Sequence, residues 1–99
     1  MTRQIVFLAQ ADMDRDSIWD HTVNEWSVQQ AEHYLMGLDS VLTLLAEQPQ
    51  LARERLEVDP PVRLHPYKSH IVIFRANDTT LEVLRVVHAK SNWVELLGK

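Results

Sequence analysis

The possible folds are narrowed first by one apolar run in the first half of the chain. Ala31, Leu35, Leu38, Leu42 and Leu45 recur at steps of four, three, four and three. An α-helix brings residues at that spacing onto one face. Tyr34 and Val41 widen the stripe. Ser27 stands where a capping hydroxyl is wanted, with Gln30 at the spacing of a capping box. Pro49 closes the far end, because the residue before a proline is held out of the helical region. A stripe this continuous must be buried against another layer.

The segment before it supplies a second helix. Ala11 to Trp26 contains neither glycine nor proline, and Ile18, Thr22 and Trp26 recur every four residues, flanked by Trp19 and Val23. Asp12, Asp14 and Asp16 crowd its start, where the helix dipole favours negative charge. They read as a solvated helix start rather than an acid–base site. Trp26 reads as core. Two amphipathic helices joined this closely form an antiparallel helical hairpin.

The remainder reads as strands. Residues 3–8, RQIVFL, are short and apolar. After a polar connector over residues 50–61, closed by Pro60-Pro61, Val62 to His65 alternates between faces. Ser69 to Arg75 is apolar through its centre, as for a strand covered on both sides. Asn77-Asp78 marks a tight hairpin through residues that tolerate positive φ. In the last strand, Thr80 to Val87, strict alternation places Leu81, Val83, Arg85 and Val87 on one face. The tail from His88 holds Trp93, Val94, Leu96 and Leu97, enough for a short terminal helix. The order is β-α-α-β-β-β. It describes one α+β domain over residues 1–99, a helical hairpin packed on a small, mainly antiparallel sheet. The other sheet face is expected to be partly open, carrying Arg, His and aromatic side chains.

Composition removes several function classes. The chain has 99 residues and 11.5 kDa, the size of a single domain. It has no cysteine, which excludes disulfides, thiolate metal sites and a cysteine nucleophile. Its longest apolar runs are about five residues, too short to span a membrane, and Met1 to Gln10 lacks a signal-peptide pattern. The expected location is cytoplasmic. Gly37 and Gly98 are the only glycines, so no phosphate-cradling glycine loop is present. His65 and His70 are a weak ligand pair, and His21 and His33 read as surface residues. No metal or cofactor is expected. Residues 1–59 carry four basic against eleven acidic residues, a net −7, while residues 60–99 carry six against three, a net +3. That asymmetry points to an acidic partner for the C-terminal half. A pI of about 5.6 argues against direct sequence-specific binding to nucleic acid.

Specific residues then meet a known pattern. Ile18-Trp19-Asp20 through Trp26, Gln30 to Leu35, Leu38, Leu42 and Leu45 to Pro49 resemble the two helices of the ParE/RelE toxin superfamily. Val62-Arg63, Ser69 to Arg75 and Leu81 to His88 resemble its strands. Within the superfamily the chain resembles the ParE branch. It departs from the family pattern at Arg15, where Leu is usual, and at Ser27 and Lys68, where Gly is frequent. Ser91-Asn92 replaces the usual Met-Asp.

The resemblance implies the toxin of a two-gene toxin–antitoxin module, acting on DNA gyrase by protein–protein binding and blocking replication. It also implies a ParD-like antitoxin that wraps the toxin, making a hetero-oligomer. The alternative branch, RelE-like, consists of ribosome-dependent messenger-RNA nucleases. Such an enzyme needs clustered cations to stabilise phosphate and a group to move protons. Here Arg63, Arg75, Arg85 and His88 lie on neighbouring strands, but His70-Ile71 replaces the aromatic–Arg pair usual in that branch, and no Tyr follows Tyr67. No catalytic residue is therefore assigned. The candidate antitoxin contacts are Trp19 and Tyr34 as aromatic anchors, with Arg63, Arg75 and Arg85 as a basic sheet face for acidic side chains. The candidate target contacts are His88, Lys90 and Trp93, with Trp93 expected to be dispensable for folding.

Overall fold

The Ser27 hydroxyl accepts a hydrogen bond from the Gln30 amide at 3.0 Å, and the longest helix starts immediately after it. The structure, a computed structural model, describes residues 2–97; Met1, Gly98 and Lys99 of the expected 1–99 domain lie outside the described residues. The chain runs β1 (Gln4–Phe7), α1 (Ala9–Glu25), α2 (Val28–Glu47), β2 (Arg53–Arg55), β3 (Val62–Tyr67), β4 (His70–Ala76), β5 (Thr80–His88) and α3 (Trp93–Leu97). A 3-10 turn at Pro49–Leu51 follows α2, so the proline acts as expected.

The strands form one sheet in the order β1-β5-β4-β3-β2. β1 runs parallel to β5, and every other pair is antiparallel. The expected α+β architecture is present, with one addition. The connector over residues 50–61 contains a strand, β2, whose three residues RER pair with Val62 to Leu64. Nothing apolar marks it; an open edge of β3 is enough to recruit it. The tail forms the short terminal helix α3, as expected.

Two hydrophobic clusters hold the layers together. The larger lies between the helices and the sheet and includes Leu38, Leu42, Leu45, Val72, Phe74, Leu81, Val83 and Val86. The α2 stripe supplies its centre, as the spacing requires. From α1, Ala11 and Ile18 are buried, but Trp26 is 75% exposed, so the expectation that it is core is wrong. It lies just beyond the last turn of α1, as its C-cap residue.

The smaller cluster, Val62, Ile73 and Val87, lies on the opposite sheet face. Val58 from the connector and Trp93 and Leu97 from α3 pack over it. The face expected to be partly open is therefore roofed at its middle.

Two turns show how local chemistry works. The β4–β5 hairpin forms at Asn77-Asp78 as expected, but no residue there has positive φ. Instead the Asn77 side-chain oxygen accepts from the amides of Thr79 and Thr80 at 2.9 and 2.8 Å, and Asn77 N–H bonds to Thr80 carbonyl. Between β3 and β4, Lys68 does adopt φ of 53°, the conformation that favours glycine and the position where the family often has one.

Candidate functional site

The site begins with an irregularity in β5. Ile73 pairs with Arg85, but Phe74 pairs with Val83, so Leu84 is an extra residue forming a β-bulge. The bulge breaks the alternation. Val83 and Val86 both face the helices, while Leu84 and Val87 face the other way. The expected common face of Leu81, Val83, Arg85 and Val87 is thus not formed.

Beyond the bulge, β5 also loses its neighbour. The β1 pairing ends at Phe7–Val83, and a last amide bond runs from Leu8 to Val83. The exposed strand edge is met by Asp14 of α1. Its carboxylate accepts from the Val86 amide at 2.9 Å and from the Arg85 guanidinium at 2.8 and 3.0 Å. The side chains of Arg85 and Asp14 are only 20% and 14% exposed. Hydrogen bonding to Asp14 raises the Arg85 pKa above its ordinary value. Asp14 is therefore no solvated first-turn residue. α1 begins at Ala9, two residues earlier than expected, which leaves only Asp12 in its first turn.

At the far end of β4, the Tyr34 hydroxyl lies 2.6 Å from His70 Nδ1. The Tyr34 and His70 rings meet edge to face at 5.6 Å, and the His70 and His88 rings do so at 5.8 Å. Burial, then the neighbouring His88 and His21, hold the His70 pKa below that of a free histidine. These residues line two adjoining clefts that share His21, Thr22 and His70. One, of about 320 Å³, runs along β5 past Ser17, Arg85, His88 and Ser91. The other, of about 370 Å³, opens toward Trp26, Gln30 and Tyr34.

The structure disperses most of the residues singled out in the sequence. Arg63 faces the helix side, opposite Phe74, and donates to the Ala52 carbonyl at 2.7 Å. Arg75 lies on the opposite face and donates to the carbonyls of Pro61 and Pro60 at 3.3 Å. Arg85 is held by Asp14. The expected basic sheet face is therefore not there, because alternation separates Arg63 from Arg75 and the bulge turns Arg85 toward α1. Tyr34 and His88 lie in the clefts, whereas Trp19 is half-buried on α1 and lines neither. Lys90 is exposed beyond β5. Trp93 is not a free tail residue. It packs on the smaller cluster and lies under the Arg55 guanidinium, 5.2 Å from the ring centre.

Sequence reasoning missed three residues here. Asp14 had no local signal, since its partner is 71 positions away. The Tyr34–His70 pair spans 36 positions. His21 is exposed, as expected, but its place in the lining of both clefts had no signal in the sequence. Among the described residues, no three of His, Asp and Glu are grouped as a metal ion requires. Nor, among those residues, is any helix long and apolar enough to cross a membrane.

The chain is a helical hairpin on a mixed sheet with one parallel edge. A chain in the structure described as "Chromosomal ParDE TA system from P. aeruginosa" superposes with a TM-score of 0.75, covering 90% of this chain and 98% of its own, at 19% identity. That likeness is one of fold. In sequence, residues 5–93 match the profile of the ParE toxin of the type II toxin–antitoxin system, parDE. The chain belongs to the ParE toxin family. Toxin ParE1 of Mycobacterium tuberculosis is 31% identical over 91% of this chain and 93% of its own length. Toxin ParE1 of Caulobacter vibrioides is 30% identical over 89% and 91%.

Proposed function

We propose that this chain arrests growth by binding DNA gyrase and blocking replication in the cytoplasm, and that a ParD-like antitoxin neutralises it in a hetero-oligomeric complex. The observation that carries this reading is the family match, which spans residues 5–93 and both core layers. The description of the structural neighbour as a ParDE system supports an antitoxin partner.

The arrangement of cations favours a binding role over RNA cleavage. A nuclease must gather positive groups around one phosphate. Here Arg63 and Arg75 bond to backbone carbonyls on opposite sheet faces, and Asp14 neutralises Arg85. An antitoxin segment that reaches both Arg63 and Arg75 has to wrap an edge of the sheet. Trp19 and Tyr34 offer apolar area on the helix side, and His88 and Lys90 lie at the exposed end of β5 for the target. Trp93 acts on the target by holding α3 in place.

A supercoiling assay with purified chain and gyrase, beside a translation assay, tests the reading. Loss of supercoiling with accumulation of cleaved DNA is the expected result. Cut messenger on ribosomes with gyrase unaffected would overturn it.

A further inference from the structure

The two edges of the sheet are not alike. β2 carries the charged sequence RER over three residues, and its Arg55 is paired with Glu57. Charge and shortness are devices that keep a strand edge from pairing with another chain. β1, the other edge, reads QIVF and has neither charge, proline nor bulge. The amides of Gln4 and Leu8 bond inward to the carbonyls of Thr79 and Val83. Alternation then turns the amide and carbonyl groups of Ile5 and Phe7 outward. No other strand, turn or loop bonds to those four groups among the described residues. The side chains of Ile5 and Phe7 pack on the larger cluster, so Val6 and Leu8 face away from the helices, each 37% exposed. Leu8 continues into an open cleft of about 400 Å³ shared with Leu84, Leu96 and Leu97.

We propose that β1 is the docking edge for a second copy of this chain, paired antiparallel about a two-fold axis at Val6. The register follows from the backbone. Ile5 opposite the partner's Phe7, and Phe7 opposite the partner's Ile5, use all the outward groups of both strands, and no other register within β1 does so. Val6 then meets the partner's Val6 in a non-hydrogen-bonded pair, where side chains lie closest, and Gln4 meets the partner's Leu8. The charges suit this pairing. Although residues 1–59 are net −7, residues 2–11 contain no acidic residue and one basic residue, Arg3. In this register Arg3 falls opposite the partner's Ala9, the first residue of α1, whose first turn carries Asp12. Symmetry repeats that basic-to-acidic approach on the other side of the axis. An isologous contact of this kind closes on itself and stops at two copies. None of the residues assigned above to antitoxin or target lies on β1, so the proposal is independent of the gyrase reading.

Sedimentation of the purified full chain over a concentration series tests the association. A short strand edge with few flanking side chains is smaller than a standard interface, so a dimer Kd of about 100 µM is expected. Val6→Lys sets two like charges on the axis and should weaken the dimer by about tenfold or more. Val6 is exposed and stands beside Glu82 of β5, so the lysine is accommodated and the melting temperature should stay close to that of the unmodified chain. A second probe uses the absence of cysteine, which makes the thiol of Val6→Cys the only one in the chain. The Cα atoms of a non-hydrogen-bonded pair lie about 4.5 Å apart, within disulfide range. Under mild oxidation near the dimer Kd, Val6→Cys should therefore cross-link. Gln4→Cys, on the same face but four residues out of register with its own copy, should not. A monomer throughout the series, a dimer that survives Val6→Lys, or equal cross-linking of the two cysteine variants would overturn the proposal. So would a monomeric chain whose Ile5 and Phe7 amides become protected from hydrogen exchange only when a ParD-like antitoxin is added, because the edge would then belong to an antitoxin strand.

Discussion

A side chain on Gly37 would begin where the Tyr67 phenol already lies. A Cβ there would sit 2.1 Å from the Tyr67 oxygen, which donates to the Tyr34 carbonyl at 2.7 Å. Glycine in mid-helix costs about 1 kcal/mol against alanine, so its presence marks this close approach. Gly37→Ala should destabilise by about 1–3 kcal/mol through overpacking, partly offset by helix propensity. Tyr67→Phe removes the clashing oxygen, so the same alanine added to that variant should cost much less in urea unfolding. Asp14 is the second residue with an outsized role. Asp14→Ala leaves Arg85 and the Val86 amide unpaired, with an expected loss of about 2–3 kcal/mol. A cycle with Arg85→Ala should show the two changes to be strongly non-additive. His70 adds a pH dependence with a definite sign. Its folded pKa is lowered, first by burial, so the unfolded chain binds the extra proton more readily. The neutral-ring stability is full above the unfolded pKa and is lost as pH falls through the folded one. The melting temperature should therefore fall below about pH 6.5, the ordinary histidine value, and His70→Gln should flatten that slope.

At the scale of elements, periodicity was readable and irregularity was not. α2 could be placed to within a residue because its stripe, its Ser27 cap and its Pro49 stop agree. β4 was readable because a central strand is apolar on both faces. The bulge at Leu84 was hidden, since neither glycine nor proline marks it and its cause is a pairing with β4. β2 was hidden because RER carries no apolar face, and its strand character comes wholly from its neighbour. The clefts inherit this limit. Tyr34 could be proposed as a helix-edge aromatic, but its meeting with His70 depends on how the hairpin lies on the sheet. α3 raises a point of its own. Trp93 and Leu97 cover Val62, Ile73 and Val87, and Trp93 also carries Arg55. Trp93→Ala should thus cost about 2 kcal/mol in thermal or urea unfolding, less than a fully buried ring because Trp93 is only partly buried. A melting curve identical to that of the unmodified chain would return Trp93 to the role of a bare contact residue. Loss of toxicity in that variant can be assigned to the target only after stability has been matched.

Across the whole molecule, the division of charge along the sequence becomes a division between layers. Residues 1–59, net −7, supply both long helices and the two edge strands, while residues 60–97, net +2 with Lys99 outside the described residues, supply the three inner strands and α3. On the proposed reading, an acidic antitoxin segment would be repelled by the hairpin's outer surface and attracted to the sheet side. Arg75 is the most informative residue for testing this, but charge reversal there is a poor probe. Glu82 faces Arg75 across β4 and β5, so Arg75→Glu would set two carboxylates opposite each other and disturb the sheet as well as the complex. Arg75→Gln removes the cation, and its amide can still donate toward the Pro60 and Pro61 carbonyls. Its melting temperature should stay close to that of the unmodified chain. Its affinity for a ParD-like antitoxin should fall about tenfold by calorimetry, the loss of one charge-assisted pair. Unchanged affinity would take Arg75 out of the interface and move the antitoxin to the helix side, where Trp19 and Tyr34 supply apolar area. Arg63→Gln distinguishes a wrapped segment from a one-sided one. If both variants weaken binding, the antitoxin passes round the sheet, because these arginines face in opposite directions and no straight segment touches both.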